Sequence, residues 1–232
     1  MPEIQLGAWG GVGIISLAQI PASVHVSKEK QILELKSQIT NCALCEELVK
    51  SRNQVVSGYG DFKAKVLIIG EAPGRFGADI TGVPFTKDRS GVFLQKMLNK
   101  VGLNVSDPES ENPSLKGVFI TNIVKCNPRK PDDTNRSPTN PEIKNCMEYL
   151  TKEIEIIKPQ LIVTLGLPAT KFVLGDDFNG KNFGKIKKLQ KFSVLPLWHP
   201  AFVIRGGGIQ KMNETKYFKY FQNIKKIISK LE

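Results

Sequence analysis

Four short, largely apolar runs punctuate the chain: Val66-Leu-Ile-Ile69, Val118-Phe-Ile-Thr-Asn-Ile-Val124, Leu161-Ile-Val-Thr-Leu165 and Phe192-Ser-Val-Leu-Pro-Leu197. Runs without polar alternation read as strands buried on both faces, as in a parallel sheet. Gly70 ends the first run and Gly166 the third. Between the runs, apolar residues recur at helical spacing. Ile32, Leu35 and Ile39 mark a helix over 28–39, which Asn41 and Cys42 close. Leu94, Met97, Leu98 and Val101 mark a second, and Ile143, Met147, Leu150, Ile154 and Ile157 a third over 142–157. Pro168 stands at the first position of a helical segment reaching Leu174, where its missing N–H does no harm. Residues 127–141 form a long polar loop, 181–191 a lysine-rich hairpin or loop, and 214–231 a basic terminal helix.

Strands alternating with helices predict an α/β class. The expected architecture is a three-layer α/β/α sandwich around a central, mainly parallel four-stranded sheet. One domain is expected over 28–232, preceded by an extension over 1–27. Residues 4–26 are fairly apolar, but Glu3 precedes them and glycines and Pro21 interrupt them. They do not make the uninterrupted apolar span of roughly 20 residues that a bilayer requires, so no membrane association is expected.

In parallel α/β sheets, ligands bind beyond the carboxyl ends of the strands. Three of the four runs lead straight into polar motifs there: Gly70-Glu71, Asn122-x-x-x-Cys126 and Trp198-His199-Pro200. Lys and Arg number 33 against 22 Asp and Glu, a formal net charge of +11. That excess is the electrostatic footprint of a polyanion and points to nucleic acid. The lysines at 181, 185, 187, 188 and 191 and those of 216–230 are candidates for phosphate contacts, which would make binding salt-sensitive.

The four cysteines are Cys42, Cys45, Cys126 and Cys146, a close pair and a spread pair. With only two histidines in the chain, they suggest one four-thiolate site holding zinc or an iron–sulfur cluster. Metal ligation rather than disulfides implies a reducing compartment, hence an intracellular, cytoplasmic or nucleoid setting.

The first strand continues as Gly70-Glu-Ala-Pro-Gly-Arg-Phe-Gly-Ala-Asp-Ile-Thr-Gly-Val-Pro-Phe85, then Thr-Lys-Asp-Arg-Ser-Gly91. Its glycines permit a tight backbone, but it lacks the Gly-Lys-Ser/Thr ending of a P-loop. It offers two carboxylates, Glu71 and Asp79, and the aromatic face of Phe85. Asn122 carries an amide that donates and accepts at once, as reading an imide edge requires. His199 follows a buried strand and precedes a proline, which favours a functional loop.

Together the Gly70 loop, the Asn122 strand and the His-Pro motif resemble the uracil-DNA glycosylase superfamily, over roughly residues 40 to 210. Gly70-Glu-Ala-Pro-Gly74 looks like the first motif of the iron–sulfur glycosylases of family 4. The segment from Gly77 to Gly91 looks more like family 5, the branch of broader specificity. The resemblance implies a 4Fe–4S cluster on Cys42, Cys45, Cys126 and Cys146. It implies a monofunctional enzyme that flips uracil out of single- or double-stranded DNA and hydrolyses the N-glycosidic bond, initiating base excision repair. Phe85 would stack on the extruded base, beside Gly70 and Ala72. Asn122 would read its edge, and His199 would hydrogen-bond the O2 of the departing uracil. Asp79 is assigned water activation by similarity to family 5, with Glu71 as second candidate. The catalytic Asp position of family 1 is occupied here by Ala72. Phe202 opens an apolar run suited to wedge into the gap left by the base, with Arg205 near phosphates.

Two rivals stay open: a non-catalytic iron–sulfur protein that binds nucleic acid, and a zinc-stapled nucleotide hydrolase. A monomer is expected, and no convincing sliding-clamp motif is present. The mixed motifs leave two substrate ranges open, uracil alone or uracil with deaminated purines.

Overall fold

A computed structural model of the chain describes residues 26–206 and 212–230. All but the last two residues of the expected 1–27 extension lie outside the described residues. The described chain begins with Ser27 capping α1 (Lys28–Thr40), its hydroxyl accepting from the Lys30 N–H. A short α2 (Glu46–Ser51) follows, then a two-residue strand β1 (Tyr59–Gly60) and β2 (Val66–Gly70). The glycine-rich loop holds a single helical turn, α3 (Ala78–Thr81), before α4 (Arg89–Asn99). Next come β3 (Val118–Asn122), α5 (Asn140–Ile157), β4 (Leu161–Leu165) and α6 (Leu167–Leu174). The chain closes with β5 (Lys187–Lys188), β6 (Ser193–Leu197), α7 (Pro200–Ile204) and α8 (Glu214–Ser229).

The sheet has six strands, not the four expected, in the order β1-β3-β2-β4-β6-β5. The four central strands are parallel, and the two additions are antiparallel edges. Each edge strand is two residues long, too short to carry an apolar pattern, and the β5 lysines are exposed. Charged, very short edges are how sheets avoid pairing with other chains.

Alternate residues of the central strands enter opposite cores. Val66, Ile68, Val118, Ile120, Val163 and Leu195 pack beneath α4, α7 and α8. Leu67, Ile69, Phe119, Ile162 and Val194 pack with residues of α1, α5 and α6. Both sheet faces are therefore covered, giving the three layers. Among the described residues, no helix is long and apolar enough to cross a membrane.

Register decides what meets at the carboxyl edge. Gly70 pairs with Asn122, Ile69 with Thr164, and Leu165 with Leu197. The residues that follow these positions, including Glu71 and His199, leave the sheet on one side.

Candidate active site

A cavity of about 200 Å³ opens at that edge, lined among others by Glu71, Ala72, Phe85, Asp88, Asn122, Asn127, Arg136 and His199. It is smaller than the roughly 300 Å³ at which pockets for drug-sized ligands begin, and so suits a single small ring. Three strand ends, those of β2, β3 and β6, converge on it, and each contributes differently.

Asn122 ends β3 and is almost fully buried. Its Oδ1 accepts no hydrogen bond within the described residues. Orphaned buried acceptors are rare because desolvation is not repaid, so this one marks a place for a donor from outside. Gly70 makes the arrangement possible. A Cβ there would lie 2.4 Å from Asn122 Oδ1 and 2.6 Å from the Phe85 ring.

The Asn122 backbone is held from beneath. Lys125 Nζ donates to the Asn122 carbonyl (2.8 Å), to Thr121 Oγ1 (2.6 Å) and to Glu153 Oε2 (2.7 Å). All three ammonium hydrogens are thus used. Glu153, from α5, also accepts from Thr121 Oγ1 and from the Gly58 N–H. Buried charges persist when paired and fully hydrogen-bonded in this way.

Phe85 sits in the left-handed region at φ 55°, an uncommon conformation for an aromatic residue that its surroundings must enforce. Gln95 Nε2 donates to the Phe85 carbonyl (3.0 Å), and Asn104 Nδ2 donates to Gln95 Oε1 (3.0 Å). Gly91 packs so closely that a Cβ would meet the Phe85 carbonyl carbon at 2.6 Å. The Phe85 ring faces His199 with centroids 5.9 Å apart and planes tilted by 40°.

His199 caps α7, its Nδ1 accepting from the Ala201 N–H at 3.2 Å. An accepting Nδ1 leaves the proton of the neutral ring on Nε2, a tautomer assigned from this bond. Burial, reinforced by the Arg205 charge, lowers its pKa to about 4. The ring is therefore neutral near pH 7 and can donate from Nε2.

Two carboxylates line the cavity, Glu71 and Asp88. Asp88 caps α4, accepting from the Gly91 N–H at 2.7 Å. Burial raises its pKa above the ordinary value, against the opposing pull of the Gly91 and Ser90 amides. Its Oδ2 rests against Gly74 and Gly77, where a Cβ would come within 2.4 and 2.6 Å. Asp79 does not line the cavity. It is fully buried in α3 and accepts from the Asn53 N–H, from Asn53 Nδ2 (2.8 Å) and from the Arg129 guanidinium. Its oxygens are thus committed to tying α3 to the 127–136 loop. That loop forms a cavity wall, with Asn127 Nδ2 donating to the Pro73 carbonyl (2.6 Å) and Asn135 Oδ1 (2.9 Å).

Phe202 and Arg205 stand apart from the cavity lining. Phe202 packs partly buried on the core beneath α7, and Arg205 is exposed just beyond that helix.

The four cysteines come from three parts of the fold. Cys42 and Cys45 flank the α1–α2 turn, Cys126 follows β3, and Cys146 lies on α5. None forms a disulfide. Arg52 donates to Cys126 Sγ (3.1 Å) and to the Cys42 carbonyl (2.8 Å), and Asn145 Nδ2 donates to Cys45 Sγ (3.3 Å). Cys42 and Cys45 bear electrostatically on Cys126, as Cys126 and Cys45 do on Cys146. Burial pushes the Cys146 thiol up to about 11. Among the described residues, no group of three or more His, Cys, Asp or Glu side chains is set to hold a metal ion. The donor set itself, four unpaired thiols with N–H donors on two sulfurs, fits a group that takes four thiolates.

Asp88, Lys125, Asn127 and Arg136 join the site without having been predicted as site residues from the sequence. For Asp88 a signal existed: an aspartate just ahead of an apolar periodic run is a helix N-cap. The others depend on contacts far apart in sequence.

A family model described as the uracil DNA glycosylase superfamily matches residues 57–225. A type-4 uracil-DNA glycosylase of Saccharolobus solfataricus is 34% identical over 195 residues, covering 80% of this chain and 82% of the relative. One of the same type from Archaeoglobus fulgidus is 31% identical over 195 residues, covering 80% and 89%. A type-5 uracil-DNA glycosylase of Thermus thermophilus is 35% identical over 190 residues, covering 73% and 79%.

Proposed function

The chain belongs to the uracil DNA glycosylase superfamily, and on that premise we propose that it removes uracil from DNA as a monofunctional glycosylase. The observation that carries this reading is the orphaned, buried Asn122 Oδ1 at the cavity floor. It lies beside an aromatic ring and within one cavity with a neutral histidine. Phe85 stacks on the extruded base, and Asn122 matches its imide edge.

Hydrolysis of the N-glycosidic bond leaves positive charge on the sugar and negative charge on the departing base. His199 Nε2–H donates to uracil O2 and stabilises that developing anion, as an oxyanion hole does. A water adds at the sugar carbon, and a carboxylate orients it and takes its proton. Asp79, the first choice from the sequence, is spent on Arg129 and Asn53, so the role passes to a carboxylate of the cavity. Asp88 suits it best: the α4 amides fix its direction, and burial raises its basicity. Glu71 is the second carboxylate in reach.

The group implied at Cys42, Cys45, Cys126 and Cys146 is a 4Fe–4S cluster, which supplies a structural link between α1, β3 and α5 and no chemical step. Visible charge-transfer absorbance of the purified protein tests it, because zinc thiolates are colourless there; a colourless, zinc-loaded protein would replace the cluster by zinc.

The functional test is cleavage of labelled oligonucleotides carrying uracil, hypoxanthine or xanthine, with Asp88→Asn, Glu71→Gln and Asp79→Asn run beside the parent. Uracil is expected to be cut, and Asp88→Asn to lose about 10²- to 10⁴-fold in rate, the usual worth of a general base. An acid limb of the pH–rate profile lying above the ordinary carboxylate range and absent from Asp88→Asn would identify the base. A full-rate Asp88→Asn enzyme would pass the role to Glu71. No cleavage of any substrate by protein with an intact cysteine site would favour a binding function without catalysis.

A further inference from the structure

Between Gly74 and Ala78, both of which line the cavity, the side chain of Phe76 stands 67% exposed. It is the most exposed large hydrophobic residue among the described residues, and Ile80, also exposed, follows four residues on in α3. Scattered exposed apolar residues need no explanation. Phe76 differs in being supported. The Arg75 guanidinium lies over its ring, 4.7 Å from the centroid. Arg75 is itself anchored, through an ion pair and a hydrogen bond to Asp133 and through its N–H to Asn135 Oδ1 (3.3 Å). Asn135 belongs to the cavity wall. One face of the ring is thus backed by a fixed cation, and the residue stands in the chain between two residues that line the cavity.

Extruding a base exposes the π-face of its neighbour, which has lost a stacking partner. A rigid aromatic ring at the rim replaces that partner, and it does so for any sequence because every base has a π-face. A guanidinium behind the ring adds a cationic contribution and suits a polyanionic strand approaching a chain of net charge +11. We propose that Phe76, backed by Arg75, is a stacking platform for the nucleobase adjacent to the extruded one. This rests on the glycosylase reading for the identity of the extruded base, and on the continuity of the rim with the cavity for its position.

The test uses the full chain and an oligonucleotide carrying a uracil nucleotide with a hydrolysis-resistant sugar, flanked by a fluorescent purine analogue. Binding by the parent protein is expected to change the analogue's fluorescence as it stacks. Phe76→Ala should abolish that change and weaken binding by roughly 5- to 150-fold. Phe76→Trp should keep both. Inhibition by free uracil, which reports the cavity alone, should be unaltered in Phe76→Ala. Parental affinity and fluorescence in Phe76→Ala would overturn the platform. So would an equal loss of inhibition by free uracil, which would make Phe76 part of the pocket, or a change confined to self-association, which would make the patch a contact between copies. If the parent neither cleaves nor prefers uracil, the glycosylase reading fails instead. The Phe76→Ala comparison on an unmodified single strand then still decides the platform.

Discussion

The sheet face that packs against α1, α5 and α6 buries an ion pair and thiols, whereas the face under α4, α7 and α8 carries the larger share of the aromatic rings. On the first face, Lys125 and Glu153 form an ion pair almost without solvent contact, beside Cys126 and Cys146. On the second, Phe93, Tyr217, Phe221 and Trp198 crowd together, and the buried Tyr217 hydroxyl donates to the Trp198 carbonyl (2.7 Å). Among the polar groups of the cavity, each face delivers one that the proposed reading sets against the base. The charged face fixes the backbone of Asn122, whose amide in the proposed role must keep one orientation to read an edge. The aromatic face holds His199, which in the proposed role must keep its proton on Nε2 while Nδ1 accepts from the α7 amide. A nearby charge secures geometry but perturbs titration, and apolar packing suppresses titration but aims hydrogen bonds weakly. The division of labour follows from those two needs.

The largest effect is expected from breaking the charged face. Lys125→Met leaves the Glu153 carboxylate buried without its cation, and losing one partner of such a pair costs about 3–5 kcal/mol. Denaturant unfolding should register that loss. Replacing both partners by apolar residues removes the stranded charge, so Lys125→Met with Glu153→Leu should be less destabilised than Lys125→Met alone. A double variant no better than the single one would mean that the Gly58 and Thr121 hydrogen bonds, not the ion pair, carry the stability.

The aromatic face should respond in rate rather than in folding. On the proposed reading His199→Ala removes the donor to the departing base, and such donors are worth about 10²- to 10³-fold in kcat. Its unfolding midpoint should move far less than that of Lys125→Met. A variant that loses stability but keeps its rate would show that His199 serves the α7 cap alone.

The two faces were not equally open to reading from the sequence. All four central strands were legible because a strand buried on both sides carries an unbroken apolar run. The edge strands at 59–60 and 187–188 were not, since two residues hold no period. Asn122, Phe85 and His199 stood out by their places after strands or within a motif, and the structure sets them around one cavity. Asp79 and Asp88 lie nine residues apart in one glycine-rich segment, and the N-cap signal at Asp88 does not say which of the two reaches the cavity. Their surroundings differ because Arg129, fifty residues on, captures one of them. The Lys125–Glu153 pair was hidden for the same reason. Its partners are twenty-eight residues apart and meet only once α5 lies on the sheet.

The smallest expected effect sharpens the comparison through pH. An unfolded chain binds a proton on His199 near the ordinary value of about 6.5, whereas the folded ring resists it until about 4. Between those values the unfolded state holds more protons, so stability falls as pH falls through that window and is unaffected above it. From pH 8 to pH 5.5 the loss from this one group is about 1 kcal/mol. His199→Asn, which cannot titrate, should show a shallower fall by that amount in denaturant unfolding across the same range. Catalysis should follow a different curve. The neutral ring keeps its Nε2 proton throughout, so the rate should carry no histidine limb near 6.5. A stability slope that His199→Asn leaves unchanged would mean that the ring titrates alike in both states. The aromatic face would then not be what keeps it neutral.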